Sequence, residues 1–135
     1  MAALPWKDEY LINVAAIDDQ HRRLAELVNR LHETIESGGT DDDLFPVLNE
    51  LIGFTRLHFA TEEELMLKYE YPDYPAHRAA HKAVLARLQA LLATLRDKIP
   101  VDFNPKTDIN DDWVTNHLLE RDVPLGKFLN AKDVF

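Results

Sequence analysis

The 135-residue chain is predicted to be all-α, an antiparallel up-down four-helix bundle. Three observations predict it. Apolar residues recur at alternating spacings of three and four, the period of an amphipathic helix. Capping residues, glycines and prolines bound these stretches. The connections between them are fairly short, which makes successive helices antiparallel neighbours.

Residues 1–16 are expected to form an arm, because Pro5 and mixed polarity oppose a helix. Its Trp6, Tyr10, Leu11, Ile12 and Val14 should pack along the outside of the domain. The first helix should start at Asp18 or Asp19, both good N-caps, and stop at Ser37-Gly38-Gly39. Its stripe is Ile17, His21, Leu24, Val28, Leu31 and Ile35, so a histidine occupies a core position. Thr40 to Asp43 opens the second helix, with Asp42 or Asp43 as the cap if Pro46 is to fall in the first turn. Its stripe is Leu44, Leu48, Leu51, Thr55, His58, Glu62 and Leu65. Tyr69 to Pro75 is a turn, and Asp73 is the candidate cap of a third helix with the stripe Tyr74, His77, His81, Val84, Leu88, Leu91 and Leu95. Residues 97–106 form a loop. A shorter fourth helix should run from Thr107 or Asp108 through Trp113 and His117 until Val123-Pro124 ends it. The tail, 123–135, should add a turn that packs Leu125, Phe128 and Leu129. The expected organisation is therefore one domain with an arm (1–16), a bundle (about 18–122) and a tail (123–135), without internal repeats.

Composition narrows the function. Fifteen Lys and Arg against 24 Asp and Glu give a formal charge of -9. That surface disfavours nucleic acid and anionic membranes, which need positive charge, and it aids solubility. Without cysteine there are no disulfides, thiolate zinc sites or thiolate-held clusters. The N-terminus lacks a basic region followed by an apolar run, and no apolar stretch approaches the roughly 20 residues that span a bilayer. The expectation is a cytoplasmic protein without membrane insertion, and a monomer.

What remains is the polarity on the helical core faces. His58 and Glu62 stand four residues apart, as do His77 and His81, so each pair shares one helix face. In an antiparallel bundle the end of the second helix meets the start of the third, and His21 and His117 fall at that same end. Burying a lone glutamate and several imidazoles costs kilocalories each unless something satisfies them, and a metal does so. The candidate ligands are His21, His58, Glu62, His77, His81, His117 and Asp122. At about 100° per residue Glu62 lies about 40° from His58 and Glu63 about 140°, so Glu63 and Glu64 read as a solvated face. His32 shares the face of His21 but stands about 16 Å further along, too far for the same site, and reads as structural or surface. Asp122 follows His117 by five residues and returns to the site only where the helix unwinds near Pro124. Imidazoles with two carboxylates suit iron, zinc, copper or manganese, and seven side chains exceed one ion's needs. If both carboxylates bridge two octahedral ions that also share an oxygen, one position on one ion stays open for a small ligand.

The chain resembles the hemerythrins, most closely the single-domain bacterial ones. The resemblance is carried by Ile17-Asp18-Asp19-Gln20-His21, by His58-Phe59-Ala60-Thr61-Glu62-Glu63, by Tyr71-Pro72 with His77 and His81, and by Trp113 through His117 to Asp122, with Trp6 in the arm. It implies two non-haem irons with an oxo or hydroxo bridge. His77, His81 and His117 would hold one iron, His21 and His58 the other with the vacancy, and Glu62 and Asp122 would bridge. It also implies reversible dioxygen binding beside a pocket of Leu24, Phe59, Trp113, Val114 and Leu118, for storage, transport or delivery to an oxygen-consuming partner. Position 114 is more often leucine in that family, so Val114 is expected to loosen the pocket. The pocket is apolar and holds no acid to drive O–O cleavage, which favours a carrier over an enzyme. A ferritin-like oxidase would carry Glu-x-x-His pairs, yet the residues three before the six histidines are Asp18, Asn29, Thr55, Tyr74, Arg78 and Val114. An oxygen, redox or nitric-oxide sensor using the same site is the alternative, although the chain has no spare length for a fused signalling domain. Iron storage is disfavoured by two ions per 15.5 kDa chain.

Overall fold

The computed structural model describes residues 11–97 and 121–135. Within them lie helices α1 (Ala15–Glu36), α2 (Asp41–Lys68), α3 (Tyr74–Asp97) and α4 (Asp122–Ala131). Helix α2 packs against both α1 and α3, joined to each by a short connection, as expected for the bundle. The expected helix from Thr107 through His117 lies outside the described residues, as do Trp6 and Tyr10.

The chain reverses through defined caps. At the end of α1 the Gly39 N–H reaches the Thr34 carbonyl (2.9 Å) and the Gly38 N–H that of Ile35 (3.0 Å). This crossed pair closes the orphaned carbonyls of the last turn and needs a left-handed residue between them, supplied by Gly38 at φ 80°. Helix α2 then starts at once. The Asp43 carboxylate accepts the Thr40 N–H (2.9 Å), which makes Thr40 the cap in place of Asp42 or Asp43. Pro46 is consequently inside the helix, beyond its first turn, where it removes one ladder hydrogen bond. The α2–α3 reversal repeats the crossed pair, from Tyr71 N–H to the Met66 carbonyl (2.8 Å) and from Glu70 N–H to that of Leu67 (3.3 Å). Here the left-handed residue is Glu70, at φ 57°. Pro75 falls in the first turn of α3, where a missing N–H costs nothing.

Two apolar clusters divide the described interior. One gathers Leu27, Val28 and Leu31 of α1, Leu48, Leu51 and Ile52 of α2, and Val84, Leu88 and Leu91 of α3. The other gathers Ile12, Val14, Ile17, Met66, Leu125 and Leu129. Helices α1, α2 and α3 pass from one cluster to the other through a polar turn: His21 on α1, His58 and Glu62 on α2, His77 and His81 at the start of α3. Each buried aliphatic side chain contributes roughly 1.5–3 kcal/mol, so the two clusters clamp this polar layer from both sides. His32 is buried as well, at 2% exposure, and so does not lie on the surface.

The second cluster corrects the expected ends of the chain. Ile12 and Val14 are 4% and 2% exposed, so the arm supplies core and does not merely cover it. Asp18 is not the helix cap. Helix α1 starts at Ala15, and the Asp18 carboxylate instead accepts the Ile12 N–H at 2.8 Å, pinning the arm back onto the helix. The tail is a ten-residue helix and not a single turn. Val123 and Pro124 belong to its first turn, so the proline opens α4. Asn130 donates from Nδ2 to the Asn13 carbonyl (3.0 Å), tying α4 to the arm.

Arm and α4 meet at Gly126. A Cβ there would stand 2.5 Å from the Ile12 carbonyl oxygen and 2.8 Å from the Ile12 Cβ. Ordinary helix propensity favours Gly126→Ala by about 1 kcal/mol, but the clash is with backbone that Asp18 already holds. We expect Gly126→Ala to destabilise the protein by about 1–3 kcal/mol, the usual cost of overpacking. A chemical denaturation midpoint at or above that of the parent chain would contradict the close seat.

Candidate metal centre

The polar layer is built by three helices and the start of a fourth. On α2, one turn separates His58 from Glu62, and the i, i+4 spacing brings His58 Nε2 to 2.8 Å from Glu62 Oε2. From α1, His21 Nε2 stands 3.6 Å from that same oxygen. The other oxygen of Glu62 faces α3: His77 Nε2 lies 3.1 Å and His81 Nε2 3.0 Å from Oε1. Asp122, the first residue of α4, repeats the division, with Oδ2 at 2.9 Å from His21 Nε2 and Oδ1 at 3.0 Å from His77 Nε2. Each carboxylate thus turns one oxygen to the His21/His58 side and the other to the His77/His81 side.

Glu62 is 0% exposed, Asp122 4%, and the four histidines between 1% and 6%. Burial by itself favours the neutral form of an imidazole or a carboxyl group. The geometry reverses that. Burial pulls the His21 pKa down, but the Asp122 and Glu62 carboxylates outweigh it and raise it to about 9. The same balance raises His77 to about 9. Burial pushes Glu62 up, yet the facing imidazoles, His58 foremost, hold it well below the ordinary carboxylate range. Without metal, protons supply the positive charge that two buried carboxylates require.

The donor set fits two cations better than it fits protons. Two overlapping sets, His21/His58/Glu62/Asp122 and Glu62/His77/His81/Asp122, each bring their ligand atoms within 4.8 Å of one another. His21, His58, His77 and His81 each aim Nε2 at a carboxylate oxygen, and both carboxylates belong to both sets. Imidazole nitrogen with carboxylate oxygen is the donor chemistry of iron, manganese and zinc. Among the described residues the buried Glu62 Oε2 makes no well-aligned hydrogen bond, although His58 Nε2 stands 2.8 Å away, as expected of an oxygen placed for a cation. His117, expected to complete the second set, lies outside the described residues. Asp122, the weakest candidate by helical angle, stands between His21 and His77: it begins a new helix, whose N-terminus favours its charge.

Two further residues surround the candidate ligands, and the sequence assigns neither of them a role at the site. Gln20 Oε1 accepts from His58 Nδ1 at 2.8 Å. Glu63, read as solvated, is only partly so: its carboxylate lies 3.6 Å from His81 Nδ1 and 3.4 Å from Arg78 Nε. The available signal was the need of a metal-binding imidazole for a partner on its other nitrogen. Glu64 is exposed, as expected. Of the expected oxygen pocket, Leu24 and Phe59 are half-buried against the first apolar cluster. The Phe59 ring stacks on His81 at 3.8 Å. Trp113, Val114 and Leu118 lie outside the described residues.

Paired imidazole sets that share two buried carboxylates inside a helical bundle define a non-haem two-metal protein. Comparison with known proteins specifies the class. The Hemerythrin HHE cation binding domain family matches residues 13–123. The bacteriohemerythrin of Methylococcus capsulatus is 32% identical, covering 97% of this chain and all of its own. That of Stenotrophomonas maltophilia is 32% identical over 87% of this chain and 76% of its own. A crystal structure of a hemerythrin point mutant superposes with a TM-score of 0.86 at 30% identity, covering 96% of this chain and 98% of that one. The chain belongs to the hemerythrin family. Its fold is the four-helix bundle, and its cofactor is the family's di-iron centre, at which hemerythrins bind oxygen. No helix among the described residues is long and apolar enough to cross a membrane.

Metal must displace the protons held by this cluster. With His21 and His77 raised from 6.5 to about 9, the metal-free fold gains stability that is fully present below pH 6.5 and is lost as pH rises toward 9. The thermal midpoint of the iron-free protein should therefore fall across that window. Adding ferrous iron anaerobically at pH 7 in weak buffer should release protons, and the release should shrink as the starting pH approaches 9. A flat profile together with proton-neutral loading would contradict the charge pairing described above.

Proposed function

We propose that this chain is a reversible dioxygen binder, serving storage, transport or delivery, and that it is not an enzyme. The observation that carries this reading is the division of Glu62 and Asp122 between two histidine groups. His21 and His58 would hold one iron, His77, His81 and His117 the other, with both carboxylates between them. When bound, the two irons supply the electrons by which dioxygen is held and given back.

The chain's own residues determine whether that exchange stays reversible. Only two of the proposed ligands are anionic, which gives weak support to highly oxidised iron. Leu24 lies one turn beyond His21, and Phe59 lies against His81, so the described side of the proposed pocket is apolar. An apolar wall excludes water and withholds the proton that cleavage of the O–O bond needs. The two apolar clusters at either end of the layer keep the ligand geometry rigid.

The test is an optical spectrum of iron-loaded, reduced protein recorded without oxygen, with oxygen, and after oxygen is removed. A visible charge-transfer band that appears and then disappears, with about two irons per chain, is the expected result. Direct passage to a stable diferric spectrum that purging cannot reverse would overturn reversible carriage and leave redox sensing or oxidation as the working reading. A second expectation concerns the pocket wall. Leu24→Ser should accelerate conversion to the diferric form, read as the decay rate of the oxygenated band, and an unchanged rate would count against an apolar wall as the protecting element.

A further inference from the structure

His58 is oriented by a relay that reaches three groups back from the metal layer. The Leu57 carbonyl accepts from the Thr61 hydroxyl at 3.0 Å. With its only proton committed there, Thr61 Oγ1 can act toward Gln20 only as an acceptor, and Gln20 Nε2 donates to it at 3.0 Å. The amide nitrogen of Gln20 is thus occupied, which turns its oxygen to His58 Nδ1 at 2.8 Å. An amide oxygen only accepts, so Nδ1 must carry the imidazole proton. In the neutral imidazole that metal binding requires, the lone pair then lies on Nε2, the nitrogen that faces Glu62. Should the amide flip, its NH2 would face Nδ1 and favour the opposite tautomer, with a proton on the nitrogen meant for metal.

We infer that Gln20 and Thr61 form a positioning relay that sets the tautomer of His58 and thereby holds the metal of the His21/His58 group. Thr61 acts only by preventing the amide flip. The arrangement differs at His81, where the group near Nδ1 is a carboxylate, Glu63, at 3.6 Å, and a carboxylate has no wrong orientation. This inference rests on His58 being a ligand.

The logic yields a test that a purely structural role would not pass. A carboxylate at position 20 accepts whichever way it turns, so it makes the Thr61 hydroxyl dispensable. The full-length chain is stripped of metal, and Co2+ is titrated under anaerobic conditions into the parent, Thr61→Val, Gln20→Glu and the double variant, with Gln20→Leu alongside. Absorbance reports occupancy, and melting of the metal-free proteins reports folding. Losing an outer partner of a metal ligand typically costs about 10–100-fold in affinity. Gln20→Leu should weaken one of the two Co2+ ions by that much and spare the other. Thr61→Val should weaken the same ion with Gln20 present and change it less than about twofold in the Gln20→Glu background. Equal losses in both backgrounds would overturn the relay, as would no loss from Thr61→Val in the parent. Should Gln20→Leu fail to fold, the comparison of Thr61→Val in the two backgrounds still decides. A parent chain that binds fewer than two Co2+, or a His58→Ala variant that keeps both at full affinity, would instead overturn the ligand assignment itself.

Discussion

The structure depends on Glu62, a carboxylate with no exposed surface, made to serve two sides of one layer. A buried carboxylate without a counter-charge costs several kcal/mol. The Glu62 oxygens can be compensated only if α1 delivers His21, α2 delivers His58 one turn earlier, and α3 delivers His77 and His81. A slide of any helix by one turn, about 5.4 Å, would leave charge stranded in the interior. The same pairing that would hold metal therefore also fixes the mutual register of the helices. With metal removed, protons on His21 and His77 supply part of the positive charge that the carboxylates require.

Around this layer the remaining structure supplies walls and orientation. The apolar cluster between α1, α2 and α3 closes one side, and the cluster of arm, α2 and α4 closes the other. Tight helix reversals keep the ligand-bearing turns adjacent: the α2–α3 turn accepts Glu70 in a left-handed conformation to bring His77 back over Glu62. Asp18 contributes through the arm, since holding Ile12 against Gly126 seats α4, whose first residue is Asp122. The hemerythrin site is thus a layer held between two hydrophobic blocks, with its second carboxylate placed by the docking of a short terminal helix.

Much of this was legible in the linear chain. The alternating stripe on α2 runs through Leu48, Leu51, Thr55, His58 and Glu62, and all five are buried. The i, i+4 pairs and the antiparallel order placed His21, His58, Glu62, His77 and His81 in one layer, because helical periodicity and short connections are local properties. The position of Glu63 is not legible in this way, because its angle on α2 says nothing of the third helix, from which Arg78 and His81 approach it. An acidic residue near a helix start, such as Asp18, has two good uses, and only the folded arm shows which applies. The role of Pro124 is equally ambiguous in the sequence, because proline ends one helix as readily as it begins another.

By itself the sequence determined the fold class, the five core histidine and glutamate positions on the first three helices, and the two-metal chemistry they imply. These follow from residue type and a spacing of 3.6 per turn, which survive without knowledge of any partner. Only the tertiary structure decided how the carboxylate oxygens divide between two histidine groups, that Asp122 joins them from a new helix, and that Gln20 and Thr61 orient His58. Each of those is a contact between elements distant in the chain, where a displacement of a few ångströms separates a ligand from a bystander, and no local periodicity carries that information.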